Sequence, residues 1–380
     1  MLGGLSSISK LEMMKILFLC GSLEPGKDGV GDYVRVLGKQ LSMDPKLKVA
    51  ALSLNDSYVR ETVREHSDEG MQFFRLPPGS KDRYKIAQLL IKNFEPDWIS
   101  IQFVPYSFHP KGVPLSLAKN LKYLLQESKV HLMIHETWVG TRGFQLRSGL
   151  TSFLQKLSLK RILITSKPQV VHTHLPEYLE KLNRFNLSVK KLPLFSNIDV
   201  RSSLPQKNKK LVLGFFSQMD CNESVLNFLK EIGRKAKLAE IPMEVLLIGG
   251  QEDKIQKFSN YIQTLTCLKN RVRKTGFLAN HEISLAIHQC SMGVTPLPRH
   301  ALGKSGSVAA FLSHGIPVAA PHASSKNPTI GFFSKKLQST IITTPELHKI
   351  TRARKILNEA KDELSVPAIA KTFLRDLISH

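Results

Sequence analysis

A short run of lysine, serine and glycine has the residue types that bind a phosphate group. It lies in the string GKSGSVAAFLSHGIP, in which Lys304 supplies a mobile positive charge and Ser305, Gly306 and Ser307 would begin a helix. Serine is a good helix N-cap, and glycine lets a ligand come close to the backbone. The unpaired N–H groups of a helix start attract anions. The pattern therefore predicts a site for a phosphate or diphosphate.

The residues around this run predict the elements that position it. An apolar strand ends near Pro296, a loop follows, and the next helix runs to Gly315 with its apolar residues at helical spacing: Val308, Phe311 and Leu312. An ordinary strand-to-helix crossover with a capped helix and a solvated lysine is the alternative interpretation. A nucleoside-triphosphate P-loop is disfavoured, because its G-x-x-x-x-G-K-S/T pattern needs glycine where Pro298 stands.

A glycine-containing loop follows the first predicted strand, which covers Ile16–Cys20. Its residues Gly29, Val30 and Gly31 would allow backbone to come close to a ligand. The alternative is a tight strand-to-helix turn in which Asp32 is simply the N-cap.

Polar residues also stand at the ends of two later predicted strands. His135 and Glu136 follow the strand His131–Ile134, while Gln102 and Tyr106 lie at the end of the strand Trp98–Val104. A strand-end histidine is more often structural than catalytic. His172 and His174 share one strand face, but no third residue stands at metal-ligand spacing, so we expect no metal site.

Composition limits the classes of partner. The 380 residues include 54 Lys plus Arg against 31 Asp plus Glu, a formal charge of +23, which favours anionic partners. No long uncharged apolar segment predicts a membrane span. The cysteines are scattered without a C-x-x-C pair, which suits a reduced cytosolic setting: Cys20, Cys221, Cys267 and Cys290.

Alternating strands and helices predict an α/β fold with two mostly parallel, doubly wound sheets, in which ligands bind beyond the carboxyl ends of the strands. We predict an N-terminal domain over residues 1–200, a linker over 201–210, a second domain over 211–364 and a C-terminal helix over 365–380 that packs back towards the first domain.

Three details of this prediction concern single elements. Lys191–Leu194 is predicted to be a strand, and Asn280 to cap a helix. The helix over Thr151–Leu163 is predicted to bury four residues: Phe153, Leu154, Leu157 and Leu163.

Four segments, taken together and in order, resemble a bacterial subgroup of the family-four GT-B glycosyltransferases: LCGSLEPGKDGVGDYVRVLGKQL, SIQFVPYSFHPKGVPLSL, MIHETW and KSGSVAAFLSHGIPVAA. The turn Gly315–Val318 matches the family's G-x-P-V element. The resemblance covers nearly the whole chain and implies two Rossmann-like domains that face a central cleft.

The resemblance also implies a role for each candidate residue. Lys304 and the helix start at 305–307 would hold the donor diphosphate, with Lys304 and His135 as catalytic residues. Residues 29–31 would close over the phosphates and the sugar. The loop Gly276, Phe277 and Leu278 would flank the nucleobase, and the acceptor side would include Gln102, Tyr106 and Glu136.

The sequence departs from the family at the E-x7-E element. Its two glutamate positions are occupied by Leu302 and Ala310 in this sequence. In the family, the second glutamate normally binds the donor ribose. The basic residues often found after the first strand of the second domain are also missing, since residues 215–222 read FFSQMDCN. Lys304 would supply the lost charge.

We therefore expect a cytoplasmic enzyme that transfers a sugar from a nucleotide-diphosphate sugar to a hydroxyl of a glycan or lipid-linked glycan, with retention, in bacterial envelope polysaccharide synthesis. The donor is UDP- or GDP-linked, no cofactor is needed, and no metal-binding D-x-D element is present. A basic face would allow peripheral association with an anionic membrane at its inner face. The alternatives are a non-catalytic nucleotide-sugar or glycan binding protein and a nucleic-acid binder, although no specific nucleic-acid motif is present.

Overall fold

The computed structural model describes residues 13–67, 70–80, 82–139, 146–201, 210–220, 222–322 and 333–380. The chain forms two compact units, each discontinuous in sequence. The first consists of Met1–His172, Lys181–Lys190 and Leu374–His380. The second consists of Thr173–Glu180 and Lys191–Phe373. Most of the predicted linker, residues 202–209, lies outside the described residues.

The elements up to residue 191 build an eight-stranded sheet with its helices, although residues 173–180 are grouped with the second unit. They are β1 (Met14–Cys20), α1 (Gly29–Ser42), β2 (Leu47–Ser53), β3 (Val63–His66), β4 (Gln72–Arg75), α2 (Arg83–Phe94), β5 (Trp98–Phe103), α3 (Pro105–Phe108), α4 (Leu117–Leu124), β6 (Lys129–Ile134), α5 (Leu146–Ser166), β7 (Val170–Thr173), α6 (Pro176–Asn183) and β8 (Val189–Lys191).

The remaining elements build a six-stranded sheet with its helices, except that residues 374–380 at the end of the last helix belong to the first unit. They are β9 (Leu211–Phe216), α7 (Glu223–Leu238), β10 (Met243–Ile248), α8 (Glu252–Gln263), β11 (Val272–Lys274), α9 (Asn280–His288), β12 (Met292–Val294), α10 (Gly306–Ser313), β13 (Val318–Ala319), α11 (Lys335–Gln338), β14 (Ile341–Ile342), α12 (Leu347–Ala360) and α13 (Val366–Ile378). Short 3-10 helices cover Thr266–Leu268, Arg299–Lys304 and Lys361–Leu364.

Both sheets have the strand order of a doubly wound fold. The second runs β11-β10-β9-β12-β13-β14 with every pair parallel, so its order reverses at β9. The first runs β3-β4-β2-β1-β5-β6-β7-β8, is parallel from β4 to β6, and reverses at β1. Ligands of such sheets bind beyond the strand ends at the reversal point.

The second sheet is covered on both faces. Leu246 and Ile248 belong to one buried apolar cluster, whereas Val245 and Leu247 belong to another. Successive side chains of a strand point to opposite faces, so the two clusters are the cores above and below the sheet. This explains why its strands read as continuous apolar runs.

The structure corrects several details of the sequence prediction. The strand β3 was not predicted; it pairs antiparallel with β4 at the sheet edge, and its exposed alternate residues explain the weak apolar signal. The strand predicted over Lys191–Leu194 is instead β8, which ends at Lys191. Asn280 is the first residue of α9 rather than its cap, and Ala279 N donates to Glu282 Oε2 at 2.8 Å.

The helix α5 buries a different face from the predicted one. Phe153 is 61% exposed, and Leu154 and Leu157 are half-buried, so only Leu163 of the four predicted core residues is buried. The buried face carries Gln155, Ser158, Leu159 and Ile162. None of the described helices is long and apolar enough to cross a bilayer.

A buried ion pair fixes the loop that follows β1. Asp56 is fully buried and accepts hydrogen bonds from Leu23 N and from Arg75 Nε, both at 2.9 Å. Arg75 also bonds Glu24 in that loop and Glu65 of β3. Burial tends to raise the pKa of Asp56, but its hydrogen bonds from Arg75, Leu23 and Tyr58 lower that pKa below its usual value.

We expect Arg75→Met to lower the free energy of unfolding by about 3–5 kcal/mol, because Asp56 would keep a buried charge without its cation. Chemical denaturation at neutral pH measures this. Arg64→Met, at an exposed position of the adjacent strand β3, is the control and should change it by less than about 0.5 kcal/mol.

The pH dependence provides a second check. The pKa of Asp56 is lower in the folded state than in the unfolded state, where it is about 3.9. The ionised Asp56 therefore contributes fully to the free energy of unfolding above that unfolded-state pKa, and this contribution is lost as the pH falls through the folded-state pKa. Equal unfolding of the two variants would contradict the role given to this ion pair.

Candidate functional site

Hydrogen bonds join the loops at the carboxyl ends of the central strands of the second sheet. Gly249, after β10, donates its N–H to Thr275 Oγ1, after β11, at 3.2 Å. Asn222, at the start of α7, donates its side-chain amide to the carbonyl of Pro296, after β12, at 2.9 Å. Four loops are therefore held at one sheet edge, where the strand order reverses.

The helix α10 begins at this edge with open backbone donors. Ser305 is its N-cap, and its Oγ accepts from Val308 N at 3.3 Å and lies 3.1 Å from Ser307 Oγ. Among the described residues, no acceptor bonds the N–H groups of Gly306 and Ser307. A helix start with open N–H groups attracts an anion.

The side chain of Lys304 precedes this helix start and is exposed. Its Nζ donates to Tyr178 Oη at 3.3 Å and lies 5.9 Å from the centre of that ring. Both residues belong to the second unit. Sequence analysis missed Tyr178, because 126 positions separate the partners and only the folded chain brings them together.

The predicted nucleobase loop follows β11. Gly276 has a φ of +70°, a conformation that favours glycine. Leu278 packs against one core of this unit, whereas the side chain of Phe277 is 95% exposed. An anchored loop thus presents an aromatic ring to solvent, and such a ring can stack on a planar base.

The helix α1 of the first unit starts differently. Its N-cap is Asp28, not Asp32, because Asp28 Oδ1 accepts from Val30 N at 2.9 Å and from Gly31 N at 2.7 Å. Asp32 instead accepts from Gly26 N at 2.9 Å. The carboxylate of Asp28 therefore already occupies the place where an anion would bind.

The two predicted glycines of this loop have different surroundings. A methyl group at Gly31 would lie 2.7 Å from the backbone oxygen of Ser22, so close packing of α1 on the loop requires glycine there. A methyl group at Gly29 would meet nothing within 4 Å, and Gly29 is exposed. Gly29 is thus the position of this loop that a ligand can approach.

His135 lies at the end of β6 and is almost fully buried. Its Nε2 is 2.9 Å from Gln102 Oε1, and its ring packs edge-on against Tyr33 with 5.0 Å between ring centres. Gln102 is only 1% exposed, and its Nε2 donates to Ser100 Oγ at 2.7 Å. Gln102 therefore supports His135 and does not face solvent.

Tyr106 and Glu136, the other predicted acceptor-side residues, are more accessible. Tyr106 is half exposed on the short helix α3, and its ring packs over Gly112, where a methyl group would lie 2.7 Å from it. Glu136 is half-buried next to His135.

The two histidines considered as metal ligands have other partners. His172 Nδ1 lies 3.0 Å from His131 Nε2, and His172 Nε2 lies 3.1 Å from Asp376 Oδ2. The Nδ1 atom of His174 is 2.8 Å from the carbonyl of Leu192. Within the described part of the chain, no three His, Cys, Asp or Glu residues are grouped so that they could hold a metal ion.

Comparison with solved structures identifies the fold. The sucrose-phosphate synthase of Thermosynechococcus elongatus matches with a TM-score of 0.64 at 16% identity, over 96% of this chain and 99% of that one. The HepE protein of Anabaena, solved in complex with UDP, matches with a TM-score of 0.60 at 15% identity, over 97% and 100%. The chain has the GT-B fold.

A glycosyltransferase of Rickettsia africae is a further GT-B match, with a TM-score of 0.61 at 13% identity over 95% of this chain and 97% of that one. No protein-family model and no curated protein matches the chain. The predicted GT-B fold is thus confirmed, while the family-four subgroup stays a prediction.

We expect Gly29→Ala and Gly31→Ala to differ in stability. The added methyl group at position 31 meets backbone and should lower the free energy of unfolding by about 1–3 kcal/mol. At position 29 it meets open space and should change the melting temperature little. Thermal unfolding of the two variants measures the difference, and an unchanged Gly31→Ala protein would contradict the packing described.

Proposed function

We propose that this GT-B protein is a glycosyltransferase that transfers a sugar from a nucleoside-diphosphate sugar to an acceptor hydroxyl. The observation that carries the proposal is the start of α10, where the N–H groups of Gly306 and Ser307 and the ammonium of Lys304 adjoin the edge at which the second sheet reverses its order. The HepE structures with UDP and with UDP-glucose support a donor of this class.

In the proposed reaction, the bond between the sugar carbon and the diphosphate oxygen breaks, and the acceptor oxygen bonds to that carbon. The leaving diphosphate keeps the electron pair, and the acceptor proton passes to it. The N–H groups of Gly306 and Ser307 and the charge of Lys304 stabilise the negative charge that develops on the leaving group. We propose that attack occurs on the face that the diphosphate leaves, which gives retention.

The donor base is assigned to the loop at Gly276–Leu278. The exposed ring of Phe277 would stack on the base, and Leu278 would hold the loop against the core. Because an aromatic ring can stack on any base, Phe277 does not distinguish UDP from GDP, the two donor nucleotides that we consider. The acceptor is assigned to the first unit, beside His135, Glu136 and Tyr106.

We further propose that the acceptor is a glycan linked to lipid, and that the protein meets an anionic membrane through α5. The outward face of this helix carries apolar residues at helical spacing: Leu150, Phe153, Leu154, Leu157 and Ile164. Leu150, Phe153 and Ile164 are each more than 60% exposed.

Positive charge surrounds this apolar face. Lys156, Lys160 and Arg161 of α5 are exposed, and no aspartate or glutamate occurs between Glu136 and Glu177. An apolar stripe with lysine and arginine on its flanks fits the boundary between acyl chains and anionic headgroups. Such a location suits an enzyme of bacterial envelope polysaccharide synthesis.

We expect Lys304→Ala to weaken donor binding about tenfold to hundredfold, because one charge-assisted contact to phosphate is lost. Lys230→Ala is the matched control, since it removes the same charge from an exposed site on α7 of the same unit. Thermal shift with UDP, GDP, ADP and CMP first selects the nucleotide, because a ligand stabilises the state that binds it. Calorimetry then compares the variants.

Release of nucleotide from a panel of nucleotide sugars, with and without glycan acceptors, tests the activity itself. Binding without release under every condition would favour the non-catalytic alternative. Equal donor affinity of Lys304→Ala and Lys230→Ala would remove the proposed phosphate site.

Vesicle sedimentation tests the α5 face. We expect the parent protein to bind phosphatidylcholine vesicles that contain phosphatidylglycerol. Phe153→Gln combined with Ile164→Gln should bind at least about tenfold more weakly, because two apolar side chains no longer enter the bilayer boundary. Lys160→Gln should lower the affinity for these vesicles about fivefold, and high salt should lower it further.

Tyr261→Gln, on α8 of the second unit, is the control with a comparably exposed apolar side chain. Binding by the Phe153–Ile164 double variant at the level of Tyr261→Gln would contradict the assignment. A concentration-dependent dimer that this double variant abolishes would assign the face to a second copy of the chain instead.

A further inference from the structure

A continuous series of hydrogen bonds runs through the first unit from the candidate site to α13. Its links are His135 Nε2 to Gln102 Oε1 (2.9 Å), Gln102 Nε2 to Ser100 Oγ (2.7 Å), Ser100 Oγ to His131 Nδ1 (2.7 Å), His131 Nε2 to His172 Nδ1 (3.0 Å) and His172 Nε2 to Asp376 Oδ2 (3.1 Å). All six residues are buried and lie in one compact unit. We call them the buried chain.

The four inner residues, Gln102, Ser100, His131 and His172, can satisfy these bonds in either of two directions. A neutral imidazole has one donor and one acceptor nitrogen, and a hydroxyl group can take either role. The amide of Gln102 can turn over and exchange its donor and acceptor. None of these groups by itself decides which nitrogen of His135 carries hydrogen.

The carboxylate at the far end has no such choice. Asp376 Oδ1 lies 3.6 Å from Lys190 Nζ and 3.3 Å from an Arg375 nitrogen, whereas Oδ2 faces His172. Burial tends to raise the pKa of Asp376, but the hydrogen bond from His172 and the charge of Lys190 lower that pKa below its usual value. An ionised carboxylate only accepts, so His172 must donate from Nε2.

Both inner imidazoles are neutral at physiological pH, as the series requires. Burial lowers the pKa of His172 to about 4, against the opposing effect of Asp376. Burial and the neighbouring His172 hold the pKa of His131 well below its ordinary value. Each ring therefore has one donor and one acceptor nitrogen. The direction of hydrogen-bond donation that Asp376 sets at His172 then determines the direction of every other bond in the buried chain.

We propose that Asp376 fixes the direction of the buried chain and thereby holds His135 as the tautomer with hydrogen on Nε2. His172 donates to Asp376, His131 to His172, Ser100 to His131, Gln102 to Ser100, and His135 to Gln102. Asp376, His172, His131 and Ser100 are then positioning residues for the ring at the candidate site. The tautomer of His135 does not depend on the proposed function. Only a catalytic role for its unprotonated Nδ1 rests on the proposed glycosyl transfer.

Nitrogen NMR of protein labelled with 15N-histidine tests this directly at neutral pH, because protonated and unprotonated ring nitrogens differ strongly in chemical shift. We expect His131, His135 and His172 to carry hydrogen on Nε2. His66, exposed on β3, serves as the reference for a ring in water. Hydrogen on Nδ1 of His135 in the parent protein would overturn the proposal.

Asp376→Asn should reverse the buried chain. The variant is nearly isosteric, and its amide oxygen should stay towards Lys190 and Arg375, which turns its NH2 group towards His172 as a donor. His172, His131 and His135 should then carry hydrogen on Nδ1. Three unchanged tautomers in this variant would show that Asp376 does not set the direction.

Ser100→Ala removes the hydroxyl group in the middle of the buried chain and so interrupts its series of hydrogen bonds. It provides a second variant should Asp376→Asn fail to fold. His131 and His172 should keep hydrogen on Nε2, whereas His135 should populate both tautomers. Ser53→Ala removes a buried hydroxyl from β2 of the same sheet, outside the buried chain, and should change none of the three rings. A single Nε2 tautomer of His135 in Ser100→Ala would contradict the proposal.

A transfer assay separates this proposal from the proposed function. If His135 acts in sugar transfer, Asp376→Asn should lower kcat at least about tenfold and change the donor KM less than about twofold, because the wrong tautomer damages chemistry more than binding. Tautomers that reverse while kcat is unchanged would support the buried chain and remove His135 from the mechanism. Absence of transfer by the parent protein leaves the NMR result intact.

Discussion

Parallel strands place all their carboxyl ends at one edge of the sheet, and this constraint determines where the polar residues of interest lie in this protein. In the second unit, the loops after β9 to β12 meet at one edge and are joined by hydrogen bonds. In the first, the loops after β1 and β5 meet closely enough that a methyl group at Gly21 would lie 2.5 Å from Ser107. The apolar strands themselves do no chemistry; they bring together loops that are distant in sequence.

The same strand-loop-helix motif is used in two different ways by the two units. At α1, the carboxylate of Asp28 satisfies the first N–H groups of the helix, so the motif is closed by a residue of the chain itself. At α10, the cap is the neutral Ser305, and the N–H groups beside it have no acceptor in the described part of the chain. The charge and length of the capping side chain, rather than the fold, therefore determine whether the first N–H groups of such a helix are already occupied.

Periodicity predicted most of the elements, and the residue types around Ser305 predicted the capped start of α10, because those signals are local. Ser305 caps α10 as expected, and the first strand ends at Cys20 as predicted. Periodicity failed at α5, where a stripe of leucine and phenylalanine was interpreted as core although the polar stripe with Gln155 and Ser158 is buried. The sequence pattern reports an amphipathic helix but not which face meets the protein.

The buried polar groups were the least predictable from sequence. The register that places Ser100 opposite His131 follows from pairing β5 with β6, and alternation then puts Gln102 on the same face of β5. Asp376, the carboxylate partner of His172, in contrast lies 204 positions away in the sequence, and no local pattern indicates this contact. Contacts between distant segments depend on the assembled fold, which a single sequence does not reveal by periodicity.

The last turns of α13 have a consequence for dissecting the protein into its halves. Residues 374–380 belong to the first compact unit, although the stretch before them belongs to the second. A gene fragment that stops near residue 200 would encode His172 without Asp376 and leave a buried imidazole with no carboxylate. To isolate that half intact, its C-terminal heptapeptide would have to be grafted back, either through a linker or as a separate peptide.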